Sequence, residues 1–291
     1  MTVIRPAVVA TNLSGVVETP ELDSSPFRID ADGHPYVPTG DGGIVLGVRL
    51  GDSVFATDGD HVAPGACLVH PDQAARHALT SYSCLGNTVT VRSGDAAGSR
   101  GVVLGKRGEL GRVIACFSRE VLARMAPSDE IVVRGHGQGA RLEAPIHERG
   151  VIMRNLDPAA VALLPVTTDD DTLTASVRAE IPSRVVGNGV GRPVEQWDLD
   201  LQVDRDTAPT LGLSDLALGD LVAVTDLDVR HNAGYRRGWR TIGVVVHGAS
   251  PQPGHGPGLM PLFCGPADAL VARVDRSHRG INEDRLLKGT A

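Results

Sequence analysis

Two short stretches of this chain read GHGxG: Gly135-His136-Gly137-Gln138-Gly139 and Gly254-His255-Gly256-Pro257-Gly258. Glycine on both sides lets the backbone take positive φ and approach a ligand closely. It also leaves the imidazole uncrowded, so a metal or substrate can reach it. Glycine-flanked histidines occur in ordinary tight turns as well. The repeated display makes His136 and His255 the leading metal-ligand candidates, and they are expected to meet in one cleft.

Acidic partners are offered by two Asp-x-Asp pairs, Asp58/Asp60 and Asp226/Asp228. Residues two apart on a strand point to the same face. Paired carboxylates repel unless a cation, an arginine or a proton lies between them. Hard divalent ions take such oxygens, and imidazole completes a mixed site. His61 follows the first pair and His231 the second. The competing reading places these acids in solvated turns, where Asp is common anyway. Further candidates are Glu195 as a general base, Asp198 beside it, and Cys84 as a nucleophile. Gly135, Gly137, Gln138, Asn188 and Lys106 are candidates for substrate binding. Asn188 sits in the flexible run Gly187-Asn188-Gly189-Val190-Gly191. Asp200 and Asp204 read more simply as an exposed strand face.

The elements that position these residues are short. Stretches rich in Val, Ile and Thr and bounded by Gly, Pro or Asp predict strands at 44–48, 53–57, 66–70, 88–92, 101–104, 112–116, 130–134, 172–181, 197–203, 221–225 and 241–247. Helices are few: 73–79, 119–125 capped by Ser118, 158–164 capped by Asp157, and 266–274 opened by Pro266. The 35 glycines and 19 prolines imply many tight turns. The fold class is therefore mainly β with a few short helices, a β-rich α+β chain in two parts. The acidic run after Pro165 marks the boundary between a β-rich domain at 1–165 and a second at 172–291. Leu50–Asp60 and Leu218–Asp228 share Leu, Gly, Asp, Val, Thr, Asp and Asp at matching positions, which suggests an internal duplication.

The 291 residues, 42% of them hydrophobic, suffice for a sizeable core. A net charge of −7 and an aromatic content of only 3% disfavour nucleic acid as partner. No apolar run approaches the ~20 residues of a membrane span, and no basic segment followed by an apolar one suggests a secretory signal. None of the cysteines Cys67, Cys84, Cys116 and Cys264 forms a CxxC pair. A cytoplasmic protein with reduced thiols is expected. GxSxG and HExxH are absent, and Pro145 interrupts the helix that a dinucleotide site would need after Gly135.

Four blocks together carry a resemblance: Gly59-Asp60-His61-Val62-Ala63-Pro64-Gly65, Ser83-Cys84-Leu85-Gly86-Asn87, Gly135–Gly139, and the stretch from Thr241 to Gly258. They resemble an uncharacterised bacterial and archaeal family known only as a domain of unknown function. The resemblance runs from about Gly42 to about Leu262. It implies a compact β-rich protein in two parts that self-associates, and it carries no established activity. Gly187–Gly191 followed by Trp197-Asp198 and Leu218-Gly219-Asp220 is also similar, in order of motifs, to the acetamidase and formamidase family. That likeness implies divalent metal and an amide substrate.

These readings converge on a metal-dependent hydrolase of a small polar substrate, acting at an amide-like C–N bond. A zinc-like divalent ion would be held by His136, His255 and the Asp pairs. Two alternatives stand beside it: a non-catalytic protein binding a small anion, and a cysteine hydrolase using Cys84. The expected partners are a small-molecule substrate and further copies of the chain.

Overall fold

The computed structural model describes residues 3–4, 9–20, 25–56, 59–277 and 280–288. Strand accounts for 39% of the chain and helix for 12%, so the mainly β class holds. The first half forms an antiparallel sheet in the order Thr11–Val17, Glu130–Gly135, Thr88–Val91, Arg100–Arg107, Arg112–Cys116, Gly65–Val69 and Ile44–Val45. Thr11–Val17 also pairs with Gly65–Val69, through Val16↔Val69 and Val17↔Leu68, which closes six of these strands into a barrel and leaves Ile44–Val45 as a short edge beside Gly65–Val69. Alternation along these strands sends Leu13, Val89, Val91, Val113, Ile131 and Val133 into one buried cluster. The helix Gln73–Tyr82 adds Leu79 to that cluster, and Asp72 caps its N-terminus by accepting from the Ala75 N–H.

In the second half a sheet runs in the order Ile152–Met153, Gly258–Pro266, Gly234–His247, Leu221–Asp228 and Ala179–Pro182, with Leu199–Asp200 paired to Gly258–Pro266. Its Val244, Val246, Met260 and Leu262 share a core with Val102, Leu104 and Ile114 of the barrel. Gly105 permits this contact, because a Cβ there would lie 2.4 Å from Val246 Cγ1. The two halves thus press directly on each other.

Several local expectations are revised. The stretch 266–274 is not a helix. Leu270–Val274 is a strand parallel to Thr172–Val177, with Leu270 buried in the core and Ala272 packed against it. The acidic run after Pro165 forms the tip of a hairpin rather than an open linker: Val166–Asp169 pairs with Thr172–Val177 around Asp170, whose φ is 43°. The two similar blocks do not share a geometry. Leu221–Asp228 is a strand, whereas Ser53 makes only an isolated bridge, to Ala217, within a run of turns. The blocks touch each other instead, Gly51 N–H donating to Leu218 O and Leu218 N–H to Asp52 O. No helix among the described residues is long and apolar enough to cross a membrane.

Candidate metal centre

The densest convergence of ligand-type side chains lies where the barrel meets the second sheet. Glu109 comes from the turn between the barrel strands Arg100–Arg107 and Arg112–Cys116. Asp198 and Asp200 stand two apart at the short strand Leu199–Asp200, and both are buried. His247 ends the long strand Gly234–His247. His255 comes from the second GHGxG loop. His61 comes from the turn after Gly59, with φ at 53°. That conformation is rare for a residue with a Cβ and recurs where the surrounding structure holds a functional side chain. Backbone bonds clamp the turn: His61 N–H donates to Ala249 O, and Gly248 N–H to Val62 O.

Close backbone approach explains the glycines of these loops. A Cβ on Gly187 would fall 2.1 Å from the Gly254 carbonyl oxygen, so the Gly187–Gly191 run and the second GHGxG loop lie one on the other. Their contact is tied by Asn188 N–H to Gly254 O, while Gly187 N–H donates to Asp200 O. A Cβ on Gly258 would fall 2.0 Å from His247 Nε2 and 2.6 Å from Asp198 Oδ2. Only glycine at 258 lets that strand pass the histidine–aspartate pair.

The atoms fall into two sets that share Asp200. His61, Glu109, Asp200 and His255 form one, and Asp198, Asp200 and His247 the other, with ligand atoms in each set within 4.8 Å of one another. In the first set His255 Nδ1 lies 3.0 Å from His61 Nε2, 3.2 Å from Glu109 Oε1 and 3.4 Å from Asp200 Oδ2. His61 Nε2 is 3.8 Å from Asp200 Oδ1 and 4.0 Å from Glu109 Oε1. Ligands held ~2.1 Å from one tetrahedral ion are roughly 3.4 Å apart, so these separations bracket the spacing an ion imposes. In the second set His247 Nε2 is 2.8 Å from Asp198 Oδ2 and 3.6 Å from Asp200 Oδ1. Asp200 Oδ1 is buried and has no hydrogen-bond donor. A buried anionic oxygen without a donor is costly unless a cation faces it.

Outer partners orient the imidazoles as they do around bound metals. His61 Nδ1 lies 2.6 Å from Asp60 Oδ1 in an ion-pair contact, and neither atom has another hydrogen-bond partner. Asp60 Oδ2 accepts from Tyr36 Oη at 2.8 Å and from Arg28 Nη1 at 2.8 Å. His247 Nδ1 contacts Gly248 O at 2.9 Å, which requires Nδ1 to carry the proton and turns the Nε2 lone pair toward the carboxylates. Glu109 is gripped by Arg107 and accepts at Oε1 from Asn188 Nδ2 at 2.8 Å. Arg107 in turn meets Asp41, which also pairs with Arg112 and Arg28.

The protonation tendencies follow. Burial would raise the Asp60 carboxyl, but contact with His61 and the bonds from its other neighbours hold it well below the usual carboxylate range. Burial lowers His61. Burial also works against a charged His247, yet the Asp198 carboxylate wins and raises it. Asp200, then Glu109, raise His255 to about 9. Glu109 is lowered against its burial by His255 and Arg107. In the ion-free protein protons thus occupy part of the positive charge this cluster calls for.

The structure brings together some expected residues and leaves others apart. His255 and Asp198 lie in the cluster, Asp60 orients His61, and Asn188 holds Glu109. Asp58 lies outside the described residues. His136 does not join His255. Its Nδ1 lies 3.2 Å from Asp157 Oδ1, and with Gly135, Gln138, Val9, Thr11 and Tyr82 it lines a separate cavity of about 370 Å³. Gly137 is placed by packing, since a Cβ would meet Leu156 O at 2.5 Å. Gln138 spends its amide on Ser81 O and Asn155 Oδ1. Asp226, at φ 57°, accepts from Gly238 N–H across a bulge in its strand, and Asp228 is held by Arg230 and Arg236, which draws it down to about 2 against its burial. Exposed His231 completes no second site. Glu195 pairs with Arg154 at 3.0 Å. Lys106 is buried and lowered to about 8, with Nζ donating to Thr80 O, Asn155 Oδ1 and Glu195 O, so it braces the fold rather than reaching a ligand. Cys84 is fully buried and its thiol is pushed up to about 12 by desolvation, the opposite of what a nucleophile needs. Glu109 and His247 were not singled out from the sequence, and Asp200, read there as part of an exposed strand face, is buried in the cluster. The available signal was Asp198/Asp200, an Asp-x-Asp pair on a strand like the two that were singled out.

A further set of Asp30, Asp32 and His34 lies in an intermediate-to-exposed turn, where Asp30 is already occupied by the N–H groups of Asp32 and His34. A cavity of about 390 Å³ borders Asp60, but His61, Glu109, Asp200 and His255 do not line it. A smaller one of about 190 Å³ does reach Glu109 and is lined also by Arg76, His77, Gln196 and Trp197.

Comparison with known proteins agrees with the resemblance seen in the sequence. Residues 27–162 match the N-terminal domain, and residues 163–281 the C-terminal domain, of a domain-of-unknown-function family, DUF4438. The crystal structure of TM1086 is similar over 99% of this chain and 99% of that one, with a TM-score of 0.91 and 33% sequence identity. No curated protein matches the sequence. None of these comparisons points to the acetamidase and formamidase family. This chain belongs to the DUF4438 family, spanning both of its domains.

Proposed function

We propose that the protein is a metal-dependent hydrolase of a small polar substrate, with a divalent ion held by His61, His255, Glu109 and Asp200. The observation that carries this reading is the convergence of two imidazole nitrogens and two carboxylates around a buried oxygen, Asp200 Oδ1, that no donor satisfies. The mixed nitrogen and oxygen donors suit zinc, manganese or cobalt better than magnesium or calcium. Such an ion, when bound, lowers the pKa of water and polarises a carbonyl.

The protein's own residues supply the rest. The Asp60 carboxylate fixes the ring and tautomer of His61. Arg107 and Asn188 hold Glu109 in place. His255 and Glu109 are partly exposed, at 19% and 23% of their side chains, whereas His61 and Asp200 are buried, so a substrate approaches from the His255–Glu109 side. The small cavity beside Glu109, with Arg76, His77 and Gln196 in its wall, favours a polar ligand. An amide-like C–N bond is the first bond type to assay.

The test is metal content and turnover measured together. Purified protein, reloaded with zinc, manganese or cobalt, is assayed on a panel of small amides, cyclic amides and esters. Metal-dependent hydrolysis lost in His61→Ala and retained in His136→Ala is expected. Retention of tight metal and full turnover by His61→Ala would overturn the assignment.

A further inference from the structure

Asp200 belongs to both donor sets, and its Oδ1, 3.8 Å from His61 Nε2 of the first set, also faces the second. Oδ2 lies 3.4 Å from His255 Nδ1, and Oδ1 lies 3.6 Å from His247 Nε2. We propose that the protein binds a second divalent transition-metal ion at His247, Asp198 and Asp200, with the Asp200 carboxylate bridging it to the first. This rests on the reading of His61, His255, Glu109 and Asp200 as the first site.

Hydrogen bonding around His247 carries the argument. Its Nδ1 proton is committed to Gly248 O, so Nε2 faces Asp198 and Asp200 as a lone pair unless something positive intervenes. A second proton on Nε2 would satisfy Asp198 Oδ2, at 2.8 Å, and would leave Asp200 Oδ1 without a donor. An ion satisfies all three atoms at once. Asp200 is only 3% exposed and His247 is fully buried, so water does not compensate freely. Asp198 is pre-set for this role, because its other oxygen accepts from Gly108 N–H at 3.1 Å.

Charge balance points the same way. In this buried region the carboxylates of Glu18, Asp41, Asp60, Glu109, Asp198 and Asp200 outnumber the guanidinium groups of Arg28, Arg107 and Arg112. The arginines contact Glu18, Asp41, Asp60 and Glu109. No arginine ion pair among the described residues reaches Asp198 or Asp200, whose basic neighbours are the imidazoles of His61, His247 and His255 where the two donor sets meet. Paired ions about 3.5–4 Å apart, bridged by a carboxylate, are a recurring hydrolytic arrangement, in which both the attacking and leaving groups are stabilised.

The experiment is a manganese titration of the metal-free full-length chain, read by elemental analysis and by electron paramagnetic resonance. Two ions per chain, with a spin-coupled spectrum at saturation, are expected. His247→Ala and Asp198→Asn should each bind one ion and give the spectrum of isolated manganese, with circular dichroism reporting their fold. The wild-type stoichiometry and coupling decide the matter even where a variant fails to fold. One ion per chain with an uncoupled spectrum, or two coupled ions in folded His247→Ala, overturns the second site. One ion that is lost in His61→Ala leaves the hydrolase reading standing while this inference falls. A wild-type chain that binds none removes both.

Discussion

The two GHGxG loops are the same five-residue pattern set in different surroundings. In the first, His136 finds one partner, Asp157, which also caps the turn Pro158–Leu163 and accepts from Asn87 Nδ2. In the second, His255 meets His61, Glu109 and Asp200 within 3.4 Å. The first loop packs against the segment around Leu156 and Asp157. The second lies on the Gly187–Gly191 run, next to the strand that carries Asp200. A glycine-flanked histidine makes a ring available; what it becomes available to is decided by which strands arrive beside it.

This contrast can be broken most directly by substitution at the second loop. Asp200→Asn should lower affinity for zinc or manganese by more than the ~10–100-fold typical of losing a merely orienting partner, as read by competition with a chelator. His136→Ala should leave that affinity unchanged. Equal losses in the two variants would mean that the loops act as one site after all.

The next effect is on stability. Asp41 joins Arg107, Arg112 and Arg28, and its side chain is only 6% exposed. Removing it in Asp41→Ala strands buried guanidinium groups and should cost roughly 3–5 kcal/mol in urea unfolding. His136→Ala, at a quarter-exposed ring, should cost roughly 1 kcal/mol or less. A smaller penalty at Asp41 than at His136 would show that the ion-pair cluster does not support the second region as described.

Glycine substitutions sharpen the comparison further. Gly258→Ala drives a methyl into His247 Nε2 and Asp198 Oδ2 and should destabilise by roughly 1–3 kcal/mol, with weaker metal binding. Gly139→Ala meets open space, and its cost should be only the ~1–2 kcal/mol of positive φ. Metal binding should be untouched there. Indistinguishable metal affinities in these two variants would sink the argument from close approach.

The smallest effect is the pH dependence of the ion-free protein. His255 is raised from 6.5 to about 9 and His247 is raised as well. Their contribution is fully present below the unfolded value and is lost as pH rises through the folded one. Between pH 6.5 and 8 the native state keeps protons that the unfolded state releases, so stability should fall. Lowered His61 changes little above 6.5, and Lys106, lowered to about 8, acts with the opposite sign only above that pH. Urea midpoints at pH 6.5 and 8 check this, and saturating zinc should flatten the trend. A midpoint that rises with pH in the ion-free protein would refute it.

Much of the fold was legible because it is local. Val alternating with Thr marks the strand Thr88–Val91, the apolar run after Gly111 marks Arg112–Cys116, and Ser118 and Asp157 cap shorter helical segments than expected, Arg119–Leu122 and Pro158–Leu163. Leu270–Val274 was misread because Pro266 suggests a helix start, while the partner that makes the stretch a strand, Thr172–Val177, is distant in sequence. The chemistry was legible in kind. Imidazoles beside an Asp-x-Asp pair were expected, and of the residues named for it the structure places His255 and Asp198 in the cluster and Asp60 against His61.

The amino-acid sequence alone determined the β-rich class, the family, and the residue types that can hold a divalent ion. Which pair of aspartates joins the histidine cluster was decided only in three dimensions. Asp58/Asp60, Asp198/Asp200 and Asp226/Asp228 have the same spacing. Asp228 is drawn to Arg230 and Arg236, and Asp60 turns behind His61. Only Asp198 and Asp200 are carried, by pairing of Leu199–Asp200 with Gly258–Pro266, to the place where His61, His247 and His255 arrive from separate parts of the chain. A carboxylate's role depends on which charges lie within a few ångströms of it, and long-range strand pairing sets those distances.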